Sequence, residues 1–516
     1  MLGKWAKQSR IVSRMAICKP TLFNQFGLTL YGADSIFGLN VGSCQLSQFK
    51  HPTAACLSSS ATTGVPTDHF DICIVGAGII GTAAACAMAQ SPYSSGKRIA
   101  LIEAGDLFKS PVLMPGQFAN RVSSITRGSA LFLDQIGVWD RILVKHPYTK
   151  MHVWDASSDG VMAFDADSSQ VDLKPHGEPA IGWIVQNHLI QASLAQIVSQ
   201  TPSITIFNSS TVTDISADAL SGVPTVVLNN GHQFSCQLLV GADGMNSKVR
   251  EFAGIESIGW DYNMHGLVAT LQVDDSASDN DTAWQRFLPT GPIAMLPLAK
   301  GYASLVWSTT PHLASLFKKM SDAHFVEFVN CAFHNPLQDL QFACDQLHPD
   351  GSIDDSVNLK DEIAWGLERS SGSGSESGES RKALRVIGVQ PYSRAPFPLR
   401  LRNSTSYTST RTALVGDAAH TIHPLAGQGL NLGLADAQSL CKAIEQGSQH
   451  GSDVGSSSVC EAYGRDRFAK GVGMLAAVDG VARAFGGMIP SALRSTGMNL
   501  INSSSVVKKT IMNLAS

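Results

Sequence analysis

The hydrophobic pattern first becomes regular at residue 70. Phe70-Asp71-Ile72-Cys73-Ile74-Val75 is a short, nearly continuous apolar run, which predicts a strand buried on both faces. The alanine-rich stretch from Thr82 to Gln90 predicts a helix. Arg98 to Ile102 predicts a second strand, ending at Glu103. Two further buried strands, Leu238 to Val240 and Thr412 to Val415, run straight into turn residues, Gly241-Ala242-Asp243-Gly244 and Gly416-Asp417. A helix is predicted over Leu430 to Glu445. From about 150 to 200 and 256 to 395, shorter β-rich runs such as Gly266 to Leu271 and Ala303 to Ser308 predict an antiparallel sheet. Within 366–381, Ser370 to Glu379 is a low-complexity Ser/Gly/Glu insertion, read as flexible. Val472 to Ile489 is apolar but carries Asp479 and Arg483 one helical turn apart, which does not suit a bilayer span. A core-covering helix and a membrane-surface or partner-binding helix both fit that pattern.

These elements predict an α/β protein. A Rossmann-like dinucleotide-binding domain is assembled from 68–150, 205–255 and 395–446. It is interleaved with a mainly antiparallel β-sheet domain, 151–204 and 256–394, and followed by a helical region, 456–516. Length alone, 516 residues, suggests about three units. The discontinuous first domain means that length overcounts the independent ones. Hydrophobic residues at 44% and charged residues at 16% exclude a disordered or collagenous chain. A net charge of −4 argues against a chain that lives on nucleic acid.

The charge is uneven. Lys4, Lys7, Arg10, Arg14 and Lys19 all precede the first acid, Asp34. An amphipathic, acid-free, Ser-containing start has the composition of a mitochondrial transit peptide, so residues 1–65 are expected to be leader and linker. The ten cysteines form no C-x-x-C pair and sit in apolar segments, the pattern of reduced, buried thiols.

Candidate chemistry lies where strands meet turns. In Gly76-Ala77-Gly78-Ile79-Ile80-Gly81, Gly76 permits the tight turn, Gly78 the approach of a pyrophosphate, and Gly81 close helix–strand packing. Glu103 lies 22 residues beyond Gly81, where an acid can accept hydrogen bonds from ribose hydroxyls. This predicts a dinucleotide site without separating FAD from NAD. The Asp243-Gly244 turn alone is ordinary. The Gly416-Asp417 turn leads through Pro424, Leu425, Ala426, Gly427 and Gly429 into a helix starting near Asn431. Small residues there permit a flat ring to lie on the backbone beside a helix N-terminus. His420 and His423 lack any further ligand pattern, so no metal is expected.

In order and spacing the three motifs resemble those of the class A FAD-dependent aromatic hydroxylases, the para-hydroxybenzoate hydroxylase-like group. Asn120-Arg121-Val122-Ser123-Ser124-Ile125, Met151-His152-Val153-Trp154-Asp155, Ala283-Trp284-Gln285-Arg286-Phe287-Leu288-Pro289, Ala294-Met295-Leu296-Pro297-Leu298 and His423 to Gly433 resemble its ubiquinone-biosynthesis hydroxylase subfamily over roughly 68–490. The resemblance implies FAD as cofactor, with Arg121 near it, Asp417 at the ribityl and pyrophosphate region, Asp243 supporting the site, and Pro424 to Asn431 along the ring. It implies oxygen as co-substrate, acting through a flavin C4a-hydroperoxide, and electrons from a ferredoxin with its reductase or from NAD(P)H. It implies a polyprenylated 4-hydroxybenzoate hydroxylated at C5, a coenzyme Q biosynthetic complex as partner, and peripheral attachment to the matrix side of the mitochondrial inner membrane. The second sheet would face the flavin and bind substrate, with Gln285, Arg286, Met295 and Trp307 as candidate contacts, although aromatic and Met positions in strands equally suit a core. A related monooxygenase or epoxidase acting on another aromatic or isoprenoid, or a flavoprotein scaffold, would share the three motifs.

Overall fold

The computed structural model describes residues 68–94, 96–114, 116–166, 179–276, 280–353, 361, 383–423 and 427–515. The expected leader, the insertion at 366–381 and Pro424, Leu425 and Ala426 lie outside these residues.

The chain opens as strand β1 (Asp68–Val75), helix α1 (Ile79–Gln90) and strand β2 (Ile99–Ile102). After β3 (Val122–Thr126) and α2 (Arg127–Gln135) come β4 (Lys145–Tyr148), β5 (Lys150–Asp155), β6 (Val161–Asp165) and β7 (Gly182–Gln186). Helix α3 (Asn187–Ser199) leads to β8 (Ile204–Phe207), β9 (Val212–Ala217), β10 (Pro224–Leu228), β11 (Gln233–Gly241) and α4 (Lys248–Phe252). Four long strands follow: β12 (Ser257–Asp274), β13 (Thr282–Leu288), β14 (Gly291–Ala299) and β15 (Tyr302–Thr309). Helices α5 (Pro311–Lys319), α6 (Asp322–His334) and α7 (Leu337–Asp345) precede β16 (Arg385–Val389), β17 (Ala395–Ser404), β18 (Thr408–Ser409), β19 (Thr412–Leu414) and β20 (His420–Thr421). Four helices close the chain, α8 (Gly429–Gln449), α9 (Ser457–Arg483), α10 (Ser491–Ser503) and α11 (Ser505–Ala515).

The first sheet runs β18-β19-β11-β1-β2-β8, parallel from β19 to β8, with β9 and β10 attached to β11 as an antiparallel flap. Its central strands read as continuous apolar runs because both faces are covered, by α1, α3 and α8 among others. The second sheet runs β20-β17-β12-β15-β14-β13-β5-β6, with β16 also on β12, and is antiparallel except for the β13–β5 pair. Alternation along its strands sends Leu267, Leu271, Ile293 and Leu305 to one face, where α5, α6 and α7 cover them. A small third sheet, β3-β7-β4, sends Ile125, Trp183 and Val185 into the first core and packs Tyr148 and Ile184 against Ala283 and Leu298 of the second sheet.

Two boundaries differ from expectation. Helix α3, assigned by sequence to the second domain, packs its Ile190 and Leu194 into the first core. Strand β17, assigned to the first domain, pairs with β12 in the second sheet. Both lie at crossings between the sheets, where apolar pattern carries no information about which sheet recruits the segment.

The C-terminal helices are tied to the second sheet by a buried ion pair. Arg494 of α10 meets Asp155 of β5 at 3.0 Å, with side chains 8% and 2% exposed. Leu475 and Val478 of α9 are buried, and Asp479 accepts the Tyr262 hydroxyl at 2.8 Å. That half of the apolar segment therefore covers protein. No helix among the described residues is long and apolar enough to cross a membrane. Arg494→Met strands the buried Asp155 charge and is expected to cost about 3 kcal/mol in denaturant unfolding. Lys470→Ala, which removes an exposed i,i+4 pair with Asp466, is expected to cost less than ~1 kcal/mol.

Candidate functional site

The three motifs meet at the C-terminal edge of the first sheet. Gly76 adopts φ +97°, and a Cβ there would stand 2.4 Å from the Ala242 carbonyl oxygen. A Cβ on Gly81 would strike the Gly76 carbonyl. These two glycines let the first motif press against the Asp-Gly turn. Gly78 differs: its φ is an ordinary −64°, and a Cβ there meets nothing within 4 Å. Nothing internal demands glycine at that point, so the space in front of α1 is open for a ligand's approach. The α1 N-terminus has no side-chain cap and no acid in its first turn, which leaves its positive end available to an anion.

Glu103 follows β2. Its two carboxylate oxygens accept the Ala77 N–H at 2.9 Å and the Gly105 N–H at 2.8 Å, so the acid braces the glycine turn. A carboxylate retains further lone pairs for ribose hydroxyls. Gln191 of α3 donates to the Ala77 carbonyl from the other side, at 2.8 Å. Asp243 accepts the Lys248 N–H with one oxygen at 2.7 Å, and its buried second oxygen has no partner among the described residues. Arg250 donates to the Ala418 and Met245 carbonyls at 2.9 and 2.7 Å, joining the second motif to the third.

The third motif rests on a buried anion. Asp436 of α8 is fully buried. It accepts the Gly416 N–H at 3.0 Å, His420 Nε2 at 2.6 Å and Arg467 Nε at 2.7 Å. Burial alone would push its carboxyl up. His420 and Arg467 outweigh that and hold it below the ordinary value. Gly433, one turn earlier in α8, lets the helix touch Ile80 of α1 and the Gly416 backbone. Asn431 accepts the Thr126 N–H at 3.0 Å and donates to Ser124 and Gly427 carbonyls at 2.8 and 3.3 Å, pinning the loop to β3. The α8 N-terminus at Gly429 also lacks a side-chain cap and a first-turn acid.

Asp417 is solvent-accessible, yet surrounding protein pushes its carboxyl above the ordinary value, with His420 pulling the other way. Accessible and desolvated together place it in the wall of a concave site. Arg121 is exposed where the chain enters β3 and makes no side-chain hydrogen bond among the described residues. His423, next to the loop, packs edge-on against Tyr262 at 4.9 Å, and burial lowers it to about 4.

The residues present fit FAD: two uncapped helix N-termini, an open glycine, an acid at the end of β2, and Gly427 pinned beside β3. The substrate candidates divide. Arg286, Met295 and Trp307 lie on the helix-covered face of the second sheet. Arg286 donates to the Ala332 and Asn335 carbonyls at 2.8 and 2.9 Å, Met295 is core, and Trp307 stacks on Phe317 at 4.6 Å. The expectation of substrate contact is corrected for these three, because alternation turns them toward α5 and α6. Gln285 sits on the opposite face. Sequence reasoning passed over Asp436, Arg467, Arg250 and Gln191. Asp436 and Arg467 had a signal, since each interrupts an otherwise apolar helical stripe.

Asp436→Asn leaves Arg467 buried without its counter-ion. Its expected cost is about 3–5 kcal/mol, with a fall in the flavin-to-protein absorbance ratio of the purified protein. The folded-state value of Asp436 lies below its unfolded one. Its contribution is therefore complete above pH ~4 and disappears as pH falls through the native value, a limb that Asp436→Asn lacks. His423 behaves alike in a higher window. An unfolded histidine takes up its proton near pH ~6.5, whereas the native ring does so only near 4. Stability should fall between those two values by up to ~3 kcal/mol. The gap between wild type and His423→Gln in denaturant titrations at successive pH values should close over the same interval.

The family model described as FAD binding domain matches residues 69–343 and 379–475 of this chain. The ubiquinone biosynthesis monooxygenase COQ6, mitochondrial, of Xenopus tropicalis is 38% identical over 87% of this chain and 93% of its own length. The human protein of that name is 34% identical over 88% and 94%. Among solved structures, p-nitrophenol 4-monooxygenase PnpA from Pseudomonas putida superposes with a TM-score of 0.60 at 17% identity, covering 87% of this chain and 98% of that one. Klebsiella pneumoniae HpxO complexed with FAD and uric acid gives 0.58 at 16%, covering 86% and 96%. At those identities the superpositions speak for the fold, while the curated relatives speak for descent. The chain belongs to the FAD-binding-domain family of class A flavoprotein monooxygenases, in the branch represented by the ubiquinone biosynthesis monooxygenases.

Proposed function

We propose that this chain is a mitochondrial FAD-dependent monooxygenase that hydroxylates a polyprenylated 4-hydroxybenzoate at ring C5 in ubiquinone biosynthesis. The observation that carries the reading is the three-motif cradle, whose third stretch runs through β20 into the second sheet, in a chain whose curated relatives bear that name. Overall, one oxygen atom of O2 enters the ring, the other leaves as water, and two electrons and two protons are consumed. Bound FAD supplies the redox and oxygen chemistry. The α1 N-terminus, with Gly78, would receive the pyrophosphate. Glu103 would accept from the ribose, and Asp417 from the ribityl chain. Asn431 ties Gly427 and the start of α8 to β3, so this side of the ring's site would be ordered before substrate arrives. Arg121, exposed where the chain enters β3, would supply a cation near the flavin. The apolar face of the second sheet would limit water around the reacting atoms once substrate covers it.

The electrons come from outside the chain, from a ferredoxin-type protein or from NAD(P)H. The relatives' mitochondrial names and the basic, acid-free leader support a mitochondrial address. Peripheral attachment on the matrix side, within a coenzyme Q biosynthetic complex, fits the C-terminal helices. After Arg483 the sequence has no Asp or Glu, and Leu493, Leu500 and Val506 are 65%, 68% and 71% exposed.

Purified holoenzyme given a short-chain 3-prenyl-4-hydroxybenzoate, labelled oxygen, and either NADPH or reduced ferredoxin should yield a ring-hydroxylated product carrying one labelled atom. Asp417→Ala should lower FAD affinity about tenfold or more in a flavin-binding titration. Flavin-replete protein that gives no hydroxylated product with either reductant would overturn the reading.

A further inference from the structure

The uncovered face of the second sheet carries one feature that its packing leaves unexplained. Register places Val153, Gln285, Ala294, Val306, Val268 and Ala395 in a single row across six strands, all on the face away from α5, α6 and α7. Five of the six are small or apolar. Ala294, Val306, Val268 and Ala395 are only half-buried, so the floor is not sealed by the protein itself. Gln285 is 7% exposed, and its amide makes no hydrogen bond among the described residues. Neither polar atom of the amide is sealed off, so both open onto the space above the row, where a ligand hydroxyl can meet them.

The position is fixed from both sides. Two residues before Gln285 on the same face, about 7 Å away, Ala283 packs with Tyr148, Ile184 and Leu298. The Tyr148 hydroxyl is 2.9 Å from Ser124 Oγ, and Ser124 lies against Gly427 of the ring loop. Two residues after it, Phe287 stacks on Phe485 with ring centroids 3.6 Å apart, beside Met498. The amide thus sits between the flavin-loop support and an apolar wall built by the C-terminal segment.

We propose that Gln285 is a specificity-determining residue whose neutral amide receives the hydroxyl of an aromatic substrate, while the apolar row beneath holds the ring. This rests on the ring-hydroxylase reading above. An amide can both accept from a hydroxyl and donate to it. Arg494, on the C-terminal segment that walls this row, is committed to Asp155 by contacts of 3.0 and 3.1 Å. A carboxylate at Gln285 would therefore gain no counter-charge from Arg494, whereas an uncharged hydroxyl needs none.

The test uses oxidised holoenzyme and two neutral probes, 2-prenylphenol and its methyl ether 2-prenylanisole, with binding read from the absorbance of the bound flavin. Wild type should prefer the phenol by about tenfold or more. In Gln285→Met and Gln285→Leu the preference should fall to about one, with affinity for the ether retained. An unchanged preference in either variant, at wild-type flavin content, would overturn the proposal. A crystal structure of wild type with 2-prenylphenol tests the same contact without any variant. A hydroxyl within hydrogen-bond distance of the Gln285 amide upholds the proposal, and one placed elsewhere overturns it. Product formation by an enzyme that binds phenol and ether equally would sink this inference alone. Failure to bind either probe, together with no hydroxylated product, would remove the parent reading as well.

Discussion

A carboxylate taken wholly out of water costs several kcal/mol unless it is paired and hydrogen-bonded on all sides. Asp436 is such a group, and the geometry of the cofactor site follows from how it is satisfied. Its partners come from three places: the Gly416 N–H at the end of β19, His420 at the start of β20, and Arg467 in the middle of α9. All three must converge for the charge to be tolerated. Their convergence sets the path of the loop that carries Asp417 and positions α8 so that Gly433 touches both Gly416 and Ile80. Helix α9 has no motif of its own. It nonetheless helps shape the site, because Arg467 also donates to the Leu432 carbonyl and so grips α8 by its first turn.

The second constraint is steric. Gly76 and Gly81 fill no space, which is why the Asp-Gly turn can lie on the first motif with Ala242 at van der Waals distance from both. Steric and electrostatic constraints act on opposite flanks of the cradle. Between them Glu103 commits two of its lone-pair sites to backbone N–H groups, so a residue expected only to meet ribose also holds the turn that meets phosphate. A ligand that bonds to Glu103 is bonding to an already rigid group, and little ordering entropy remains to be lost on binding.

What could be read from sequence divides along the same lines. The strands β1, β2, β11 and β19 were legible because a buried parallel strand is a continuous apolar run ending at a turn, and the turn residues carry the chemistry. Asp436 and Arg467 were legible only in principle: each stands in a buried stripe, Leu432-Gly433-Asp436-Ala437-Leu440 in one helix and Tyr463-Arg467-Gly471 in the next. A charge in such a stripe demands a partner, but sequence does not say which helix supplies it. Met295 and Trp307 failed as substrate candidates for a related reason. Alternation tells which residues share a face, and only tertiary packing tells which face the helices cover. Gln285 and Arg286 are adjacent in sequence and lie on opposite sides of the sheet, one beside the cleft and the other among helix carbonyls.

The C-terminal segment joins these arguments. Its inner side supplies Phe485 and Met498 to the wall beside Gln285, and the Arg494–Asp155 pair holds it there. Its outer side presents Leu493 and Leu500, two turns apart on α10 and therefore on one face. A helix whose two apolar faces meet a sheet and the solvent cannot be explained by core packing alone, since burial of the inner face needs nothing from the outer one. Under the proposed function both faces serve the same molecule. The polar end of a prenylated aromatic has to reach an amide at the floor of the cleft, while its tail is too apolar to be left in water. A wall that is apolar on both sides lets the ring settle beside Gln285 while the tail remains on hydrocarbon surface, so the substrate's two halves are satisfied by one short stretch of chain.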